Sequence, residues 1–341
     1  MRYVSASIIH LAYYIYIQGE SYIMLTKEEL EELESYNNWK NESPVCPIVI
    51  PSYKLRSNSW VRKLNEISDN DIYVFVYDDD YVKSGYDKLK VNDNVHFVKI
   101  HATWRDLPKK RYFIQKYMLN LKHIKFYIMI DDDVNITKLT STIPGKYAPM
   151  VPIKQALWVL SKVGEKYKDS DYIAIVTSRC DMRSVHFMRE QKYATENRIA
   201  SNVFLFYNNG IYFRDTEKIA EDIIVWFDAY NNNKKWLSLN FLTMYDSNAG
   251  TEKNSLTSNN SRFYTLIYNS FKILKDKFFL KKTKMKGYPF SIGFREKSNP
   301  LYKDYLEIMK ENISNEEKID KIYKFTCDVA EYKKLKKVKD A

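Results

Sequence analysis

The sequence has few of the residues that mark the common cofactor sites. It contains only eight glycines in 341 residues, and no two lie close enough to form a GxGxxG fingerprint or a P-loop. These absences argue against a Rossmann dinucleotide site and a P-loop NTPase. A GxSxG pattern is also missing, so the sequence offers no nucleophile elbow of an α/β-hydrolase.

Cysteine and histidine are equally scarce. The three cysteines lie far apart and form no CxxC pair, which argues against both a zinc ribbon and a disulfide framework. The five histidines show no HxxxH or HxH pattern, so the usual signature of a zinc enzyme is missing. This composition predicts a protein of a reducing, cytoplasmic compartment.

Long hydrophobic runs are absent as well. The segment 4–17 is mostly apolar, but it is too short to span a bilayer comfortably and no small-residue cleavage site follows it. Met24 opens a second segment, in which Thr26 and Glu29 have the spacing of a helix capping box. We therefore expect Met24 to be the natural start or residues 1–23 to be a packed extension, with a weak membrane anchor as the third interpretation.

Positive charge is concentrated at the end of the chain. The net charge is +11, and residues 261–341 hold 20 Lys and Arg against 11 Asp and Glu, a balance of +9. Seven lysines lie between Lys272 and Lys286, interleaved with aromatics. Such a region suits nucleic acid, where lysines bind phosphates and aromatics stack on bases, or an anionic membrane surface. The alternatives are a solvated tail or a helix whose lysines face water.

Strand and helix patterns alternate along the chain. The predicted strands are 47–51, 72–77, 96–100, 126–130, 172–176, 203–207 and 237–244, and the predicted helices are 28–36, 107–121, 153–168 and 217–231. This alternation predicts a doubly wound, mostly parallel α/β sheet flanked by helices. In such sheets, ligands bind at the carboxyl ends of the strands.

Three aspartates, Asp131, Asp132 and Asp133, follow directly after the predicted strand 126–130. Adjacent carboxylates repel one another, and a divalent cation such as Mg²⁺ or Mn²⁺ removes that repulsion. Strand alternation sends Asp131 and Asp133 to one side and Asp132 to the other, so a D-x-D pair can face one ion. We predict a metal and sugar-diphosphate site here, in which Asp131 and Asp133 bind the metal and Asp131 and Asp132 bind the donor. The alternative is an acidic turn.

A second triplet, Asp78-Asp79-Asp80, follows the predicted strand 72–77. Two metal triplets in one site would be excessive. An aspartate after the second strand of a nucleotide-binding sheet more often accepts hydrogen bonds from a base or ribose. We therefore assign Asp78 to nucleotide binding, with a solvated loop start as the alternative.

These segments together resemble the nucleotide-binding half of GT-A glycosyltransferases. The resemblance rests on Pro47 to Lys54 (PIVIPSYK), the trailing Asp78 and the triplet at 131 to 133. Residues 202–222 and the loop Ser247-Asn248-Ala249-Gly250 resemble the TET/JBP-associated glycosyltransferases more narrowly. Members of that family are phage, viral and protist enzymes that glycosylate hydroxymethylated pyrimidines in DNA.

The resemblance implies a GT-A-like fold in four parts. These are an N-terminal extension with a short acidic helix, a nucleotide-sugar-binding half, an acceptor-binding half and a basic helical C-terminal region, over residues 1–44, 45–135, 136–270 and 271–341. It also implies a host-cytoplasmic location if the source is viral.

Roles for donor-binding residues follow from the same resemblance. Pro51, Ser52 and Tyr53 would line the nucleotide pocket. Lys110 and Arg111, at the start of the helix before the aspartate strand, would face the diphosphate, where cations neutralise charge on the leaving group. The alternative is that Lys109, Lys110 and Arg111 form a solvated basic turn.

An acidic pair, Glu221-Asp222, enters the predicted helix 217–231. Carboxylates in a first turn are favoured by the helix dipole alone. By the resemblance, Asp222 would be the general base that takes a proton from the acceptor hydroxyl, and Glu221 would orient the acceptor.

The sequence therefore predicts an enzyme that uses Mn²⁺ or Mg²⁺ to move a sugar from a UDP-sugar to a hydroxyl. The resemblance implies glucose as the sugar and a 5-hydroxymethylpyrimidine in DNA as the acceptor, with the basic C-terminal region binding DNA. One alternative is a transferase of surface polysaccharide or lipid-linked glycan, whose C-terminal helices lie on a membrane. Another is a non-catalytic nucleic-acid-binding module on the same fold.

Overall fold

A computed structural model describes residues 25–56, 59–140, 148–178, 193–197, 203–215 and 221–246, the strands 279–285 and 288–293, and several positions between 307 and 321. Its strands are β1 (Ile48–Pro51), β2 (Ile72–Tyr77), β3 (Val95–Ile100), β4 (Phe126–Ile130), β5 (Ile136–Leu139), β6 (Tyr172–Ser178), β7 (Ala194–Glu196), β8 (Val203–Tyr207), β9 (Lys235–Tyr245), β10 (Phe279–Met285) and β11 (Tyr288–Gly293). Its α-helices are α1 (Lys27–Asn37), α2 (Asp78–Tyr81), α3 (Leu107–Asn120), α4 (Ile153–Lys166) and α5 (Glu221–Asn231). Short 3-10 helices lie at Trp60–Glu66, Tyr86–Lys88 and Ala102–Trp104.

Nine of these strands form one sheet in the order β3-β2-β1-β4-β8-β6-β9-β5, with β7 paired to β9. Parallel pairs join β3, β2, β1 and β4, and a further parallel pair joins β6 to β9. β8 is antiparallel to both β4 and β6, so β6 and β9 point the same way as β4. The predicted mostly parallel α/β sheet flanked by helices is therefore confirmed.

The inner strands are buried along their whole length. Every residue of β1, β2 and β8 is buried, as expected where both faces of a sheet are covered. Because their sequences are continuous apolar runs, the prediction placed β2, β4 and β8 at the observed bounds. The prediction missed β5 and β7, since both are short and only half-buried.

Helix α4 covers one face of the sheet and approaches β8 closely. Gly164 makes this approach possible, because a Cβ atom at this position would lie 2.3 Å from Leu205 Cδ1. The hydroxyl of Tyr207 on β8 donates to the carbonyl of Gly164 at 2.9 Å. Helix and strand are thus joined by a close contact and a hydrogen bond at the same point.

Helix α1 begins with the predicted capping box. Glu29 N donates to Thr26 Oγ1 at 3.1 Å, and Thr26 N donates to Glu29 Oε2 at 2.9 Å. The helix is fixed to the sheet layer through Glu32, which accepts from Tyr193 at 2.9 Å and pairs with Lys166 at 2.6 Å. Residues 1–24, including the Met24 start, lie outside the described residues.

The C-terminal region differs from the expectation of a helical extension where it is described. β10 and β11 form an antiparallel pair, so the prediction of a helical region is wrong for residues 279–285 and 288–293. Tyr288, Phe290 and Ile292 alternate with smaller residues, and this period of two favours a strand over a helix. Helical turns are described only at a few positions between 307 and 321.

The chain divides into two compact units. The first contains residues 1–105, 113–211 and 233–247, and it holds the nine-stranded sheet. The second contains residues 106–112, 212–232 and 248–341. The boundaries at residues 44, 135 and 270 stay a prediction. Within the described residues, no helix is long and apolar enough to cross a membrane.

Candidate functional site

The candidate site lies at the carboxyl edge of three neighbouring strands. β1 pairs in parallel with β2 on one side and with β4 on the other. Their carboxyl ends therefore leave the sheet at one edge, and they continue into residues 52–56, the turn of α2 and the triplet 131–133. This is the edge at which ligands bind to open α/β sheets.

Asp132 is the inner member of the triplet, with only 3% of its surface exposed. Its Oδ2 accepts from Ser52 Oγ at 2.8 Å, from Ser59 Oγ at 3.4 Å and from Tyr53 N at 3.4 Å. Its Oδ1 pairs with Arg56 Nη2 at 2.6 Å. The carboxylate that we predicted to bind the donor is thus surrounded by protein groups, and it connects the loop after β1 to the end of β4.

The loop after β1 has further hydrogen bonds that hold its backbone. Lys54 N donates to Asp80 Oδ2 at 2.8 Å, and Leu55 N donates to the hydroxyl of Tyr86 at 3.0 Å. The same hydroxyl lies 2.9 Å from Ser52 Oγ, and burial raises the pKa of Tyr86 to about 12. Ser52 is fully buried, so it supports the loop from inside and its hydroxyl does not face solvent.

Asp131 and Asp133 are only partly buried, in contrast to Asp132. Burial and the neighbouring charge of Asp131 raise the pKa of Asp133 to about 7, although Arg56 opposes this rise. Asp132 and Asp246 add to the repulsion. Asp246 follows the last residue of β9, and Asn135 N donates to Tyr245 O at 3.3 Å, which brings the two segments together.

Neither Asp246 nor Arg56 was among the predicted site residues. The rule that selected the triplet could have found Asp246, because this aspartate also follows an apolar strand. Arg56 follows PSYK by two positions, and nothing in that spacing indicates an ion pair with residues of the triplet more than seventy positions away.

The described part of the chain does not form a complete cage of side chains for a metal ion. Among the described residues, no three carboxylate, imidazole or thiol side chains are grouped so that they could hold an ion. Mg²⁺ binds through one or two carboxylates together with waters and substrate phosphates, so a complete protein cage is not needed. Asp131 and Asp133 have the hard oxygen donors and the shared negative charge that suit such an ion.

The second triplet lies in the single helical turn α2, where Asp78 and Asp79 are exposed. Asp80 is buried and accepts from both Lys54 N and Ser84 Oγ. Asp79 pairs with Arg105, which lowers the pKa of this exposed carboxyl. Asp78 is exposed at the first position of the turn, and its Oδ1 accepts from Asp79 N at 2.8 Å.

Tyr53 is the exposed aromatic side chain at this edge. It is 43% exposed, and its ring meets that of Tyr77 edge-on with centroids 6.1 Å apart. The ammonium of Lys54 lies 5.0 Å from the Tyr53 ring centroid, and Arg105 lies over Tyr77 at 5.3 Å. Pro51, the last residue of β1, is buried.

Lys110 and Arg111 lie in the first turns of α3, as predicted, but they are not part of a solvated basic turn. Their exposures are 2% and 1%, so that alternative is wrong for both side chains. The guanidinium of Arg111 lies 5.5 Å from the ring centroid of Phe213 within the second compact unit. The sequence did not reveal this burial because long cationic side chains are usually exposed.

Glu221 and Asp222 are the first two residues of α5, in the second compact unit. Their side chains lie outside the described part of the chain, as do the loop 247–250 and the side chains of 272–286. The roles predicted for the acidic pair and for the basic stretch therefore stay predictions.

We expect replacement of Asp133 by asparagine to stabilise the metal-free protein above pH 7. The folded pKa of about 7 lies above the ordinary value of 3.8. Stability from the bound proton is therefore present below about pH 4 and lost as pH rises through 7. Urea unfolding in EDTA at pH 8 should show a gain of about 2–4 kcal/mol for Asp133→Asn. At pH 4 the two proteins should differ little.

Asp79→Asn is the matched control for that measurement. Arg105 lowers the pKa of Asp79, so the sign is opposite and asparagine should give no gain at pH 8. A wild-type protein as stable as Asp133→Asn at pH 8 in EDTA would show that the acidic turn carries no excess repulsion.

Comparisons with known proteins give little beyond the fold. No protein-family model matches the chain, and no curated protein matches it. Among solved structures, the chain is similar to an inositol-1-phosphate CTP transferase from T. maritima, with 15% identity and a TM-score of 0.35 over 67% of this chain and 96% of that one. A likeness this weak carries no argument about activity. The fold assignment rests on the strand order and directions described above.

Proposed function

We propose that this chain is a metal-dependent glycosyltransferase that uses a UDP-sugar. The observation that carries the proposal is the placement of Asp131 and Asp133, which stay partly exposed at the carboxyl end of β4 next to the loop after β1. Asp131 and Asp133 would hold a Mn²⁺ or Mg²⁺ ion there, which would supply positive charge to stabilise the leaving diphosphate.

The protein's own residues would divide the remaining work at this edge. Tyr53 has an exposed ring that can stack on the donor base. Asp78 has an exposed carboxylate that can accept hydrogen bonds from the ribose. Asp132 and Ser52 would hold the loop that carries Tyr53, since both are buried and hydrogen-bonded to each other. This arrangement orients the donor before the chemical step, which is an effective way to lower a barrier.

The proposed acceptor is a hydroxymethylpyrimidine in DNA. Two features support it: the resemblance to the TET/JBP-associated glycosyltransferases and the positive balance of residues 261–341. In this proposal Asp222 takes the proton from the acceptor hydroxyl and Glu221 orients the acceptor. Lys110 and Arg111 would contribute positive charge toward the diphosphate. The base must leave the duplex stack before its hydroxyl can be reached.

The acceptor is tested by a donor screen on hydroxymethylated DNA. Duplexes that contain 5-hydroxymethylcytosine or 5-hydroxymethyluracil are incubated with MnCl₂ and individual UDP-sugars, and their nucleosides are analysed by mass spectrometry. We expect one hexose to be added to the modified nucleoside, with UDP-glucose as the preferred donor. Unmodified DNA and Asp133→Asn protein serve as controls.

The same screen separates the proposal from its rivals. Donor consumption without any modified nucleoside would overturn the DNA acceptor and favour a polysaccharide or lipid-linked acceptor. Absence of both donor consumption and UDP binding would favour a non-catalytic module. DNA binding itself should weaken steeply with salt, because lysine contacts to phosphates release counterions.

A further inference from the structure

Arg56 is a cationic side chain in direct contact with the acidic turn. Its Nη2 lies 2.6 Å from Asp132 Oδ1 and 3.1 Å from Asp133 Oδ2. Its side chain is 35% exposed, so the guanidinium lies between the protein interior and the open edge of the site. One guanidinium therefore joins the inner aspartate to one of the two outer aspartates.

The two aspartates that Arg56 contacts differ in how firmly the protein holds them. Asp132 has a side chain that is 4% exposed, and it also holds Ser52 and Ser59, so its position is fixed. Asp133 is 22% exposed, and repulsion from Asp131 and Asp246 acts on it. The contact with Asp132 is thus anchored in the interior, while the contact with Asp133 is open to exchange.

The backbone around Arg56 is held while its side chain is partly exposed. Leu55 N donates to Tyr86, and the guanidinium of Arg62 donates to the carbonyls of Leu55 and Arg56 at 2.8 and 3.0 Å. Arg56 can therefore move more easily by rotating its side chain than by shifting the backbone of the loop.

We propose that Arg56 is the built-in counter-cation of Asp133 and exchanges its partner when the donor binds. Without donor, the guanidinium neutralises Asp133. With a divalent ion held by Asp131 and Asp133, the guanidinium of Arg56 would be repelled from Asp133 and would turn to the donor diphosphate. Asp132 keeps it within reach during the exchange. This inference rests on the proposed function, and it assigns Arg56 to positioning the donor.

The chemistry of the side chain supports this assignment. A guanidinium is planar, always charged and able to give paired hydrogen bonds to carboxylate or phosphate oxygens. One edge of Arg56 can remain on Asp132 while another reaches a phosphate. An arrangement of this kind couples metal binding to nucleotide binding. A metal at Asp133 would free the guanidinium for the diphosphate, and a bound diphosphate would draw the guanidinium away from Asp133.

The test measures binding and not turnover. Binding of Mn²⁺ alone is followed by the electron paramagnetic resonance of the free ion, and binding of UDP in saturating MnCl₂ is followed by calorimetry. We expect Arg56→Gln to bind Mn²⁺ alone about fivefold or more tightly than wild type, since the competing cation is gone. UDP should bind that variant about tenfold more weakly, since a phosphate contact is lost.

Two further variants make the test selective. Arg56→Lys keeps the charge and loses the fork, so Mn²⁺ affinity should stay near wild type while UDP binding weakens. It also keeps a cation next to Asp132 if Arg56→Gln fails to fold. Lys63→Gln removes one charge from an exposed position in the nearby 3-10 helix Trp60–Glu66 and should change neither affinity.

The outcomes distinguish this inference from the proposed function. If wild type binds Mn²⁺ and UDP, and folded Arg56→Gln binds Mn²⁺ no more tightly, the counter-cation role is overturned while the proposed function stands. If Arg56→Lys binds UDP as tightly as wild type does, the contact of the guanidinium with the donor diphosphate is overturned. If wild type binds neither ligand, the proposed function itself fails.

Discussion

Asp133→Asn should lower Mn²⁺-dependent hydrolysis of a UDP-sugar by at least about 100-fold, the scale of loss when a group that stabilises the leaving charge is removed. The reason is electrostatic. Asparagine has nearly the same shape, but it lacks the charge that holds a divalent ion next to Asp131. The release of UDP from UDP-glucose, followed with and without MnCl₂, measures the effect. Asp133→Ala should behave in the same way.

Asp79→Asn is the control for this loss of activity. Asp79 lies at the same sheet edge, but it is exposed and pairs with Arg105, outside the acidic turn. Its substitution should leave turnover within about twofold, as expected for an exposed ion pair. Donor hydrolysis that needs no divalent ion, or that survives in Asp133→Asn, would refute the assignment of this edge as the metal and diphosphate site.

Asp132→Ala should cost about 2–4 kcal/mol of unfolding free energy, measured by urea denaturation at pH 7. The buried carboxylate accepts from Ser52, Ser59 and Tyr53 N, and it pairs with Arg56. Alanine removes the acceptor of these donors, and water is largely excluded from this region and cannot replace it. The partial exposure of Arg56 keeps the loss below that of a fully buried ion pair.

The matched control is Asp87→Ala, which removes an exposed carboxylate from the same part of the fold. Its effect should stay within about 0.5 kcal/mol. A second readout separates the inner from the outer aspartates: Asp132→Ala should lose stability with or without EDTA, whereas Asp133→Asn should gain it in EDTA at pH 8. Equal stability of Asp132→Ala and wild type would show that the loop after β1 does not depend on Asp132.

The fold was largely readable from the sequence because its inner strands are long apolar runs. β2, β4 and β8 were predicted to the residue, and the alternation with helices gave the parallel arrangement. Where a strand is short and half-buried, as in β5 and β7, the apolar signal is too weak. Strand β10 was concealed by its lysines, which favoured a helix with a solvated face, and β11 was missed with it.

The site was readable only where its residues are adjacent in the sequence. The acidic triplet could be found because it follows a strand, and alternation along a strand gave Asp132 a different direction from its neighbours. In the structure, the side chain of Asp132 is buried and hydrogen-bonded to Ser52 in the loop after β1. Contacts such as Arg56 with Asp133 depend on how separate strands align, and no local pattern encodes them.

The position of strand β9 in the sheet affects the order in which parts of the protein can fold during synthesis. It lies between β6 and β5, and its last residues bring Asp246 and Tyr245 to the turn after β4. β5 must therefore wait for a partner that is synthesised about a hundred residues later, a long-range contact of the kind that slows folding. A nascent chain released before β9 would carry Asp131 to Asp133 without Asp246. The full charge of the acidic turn, and any affinity for a divalent ion that depends on it, arises only late in biosynthesis.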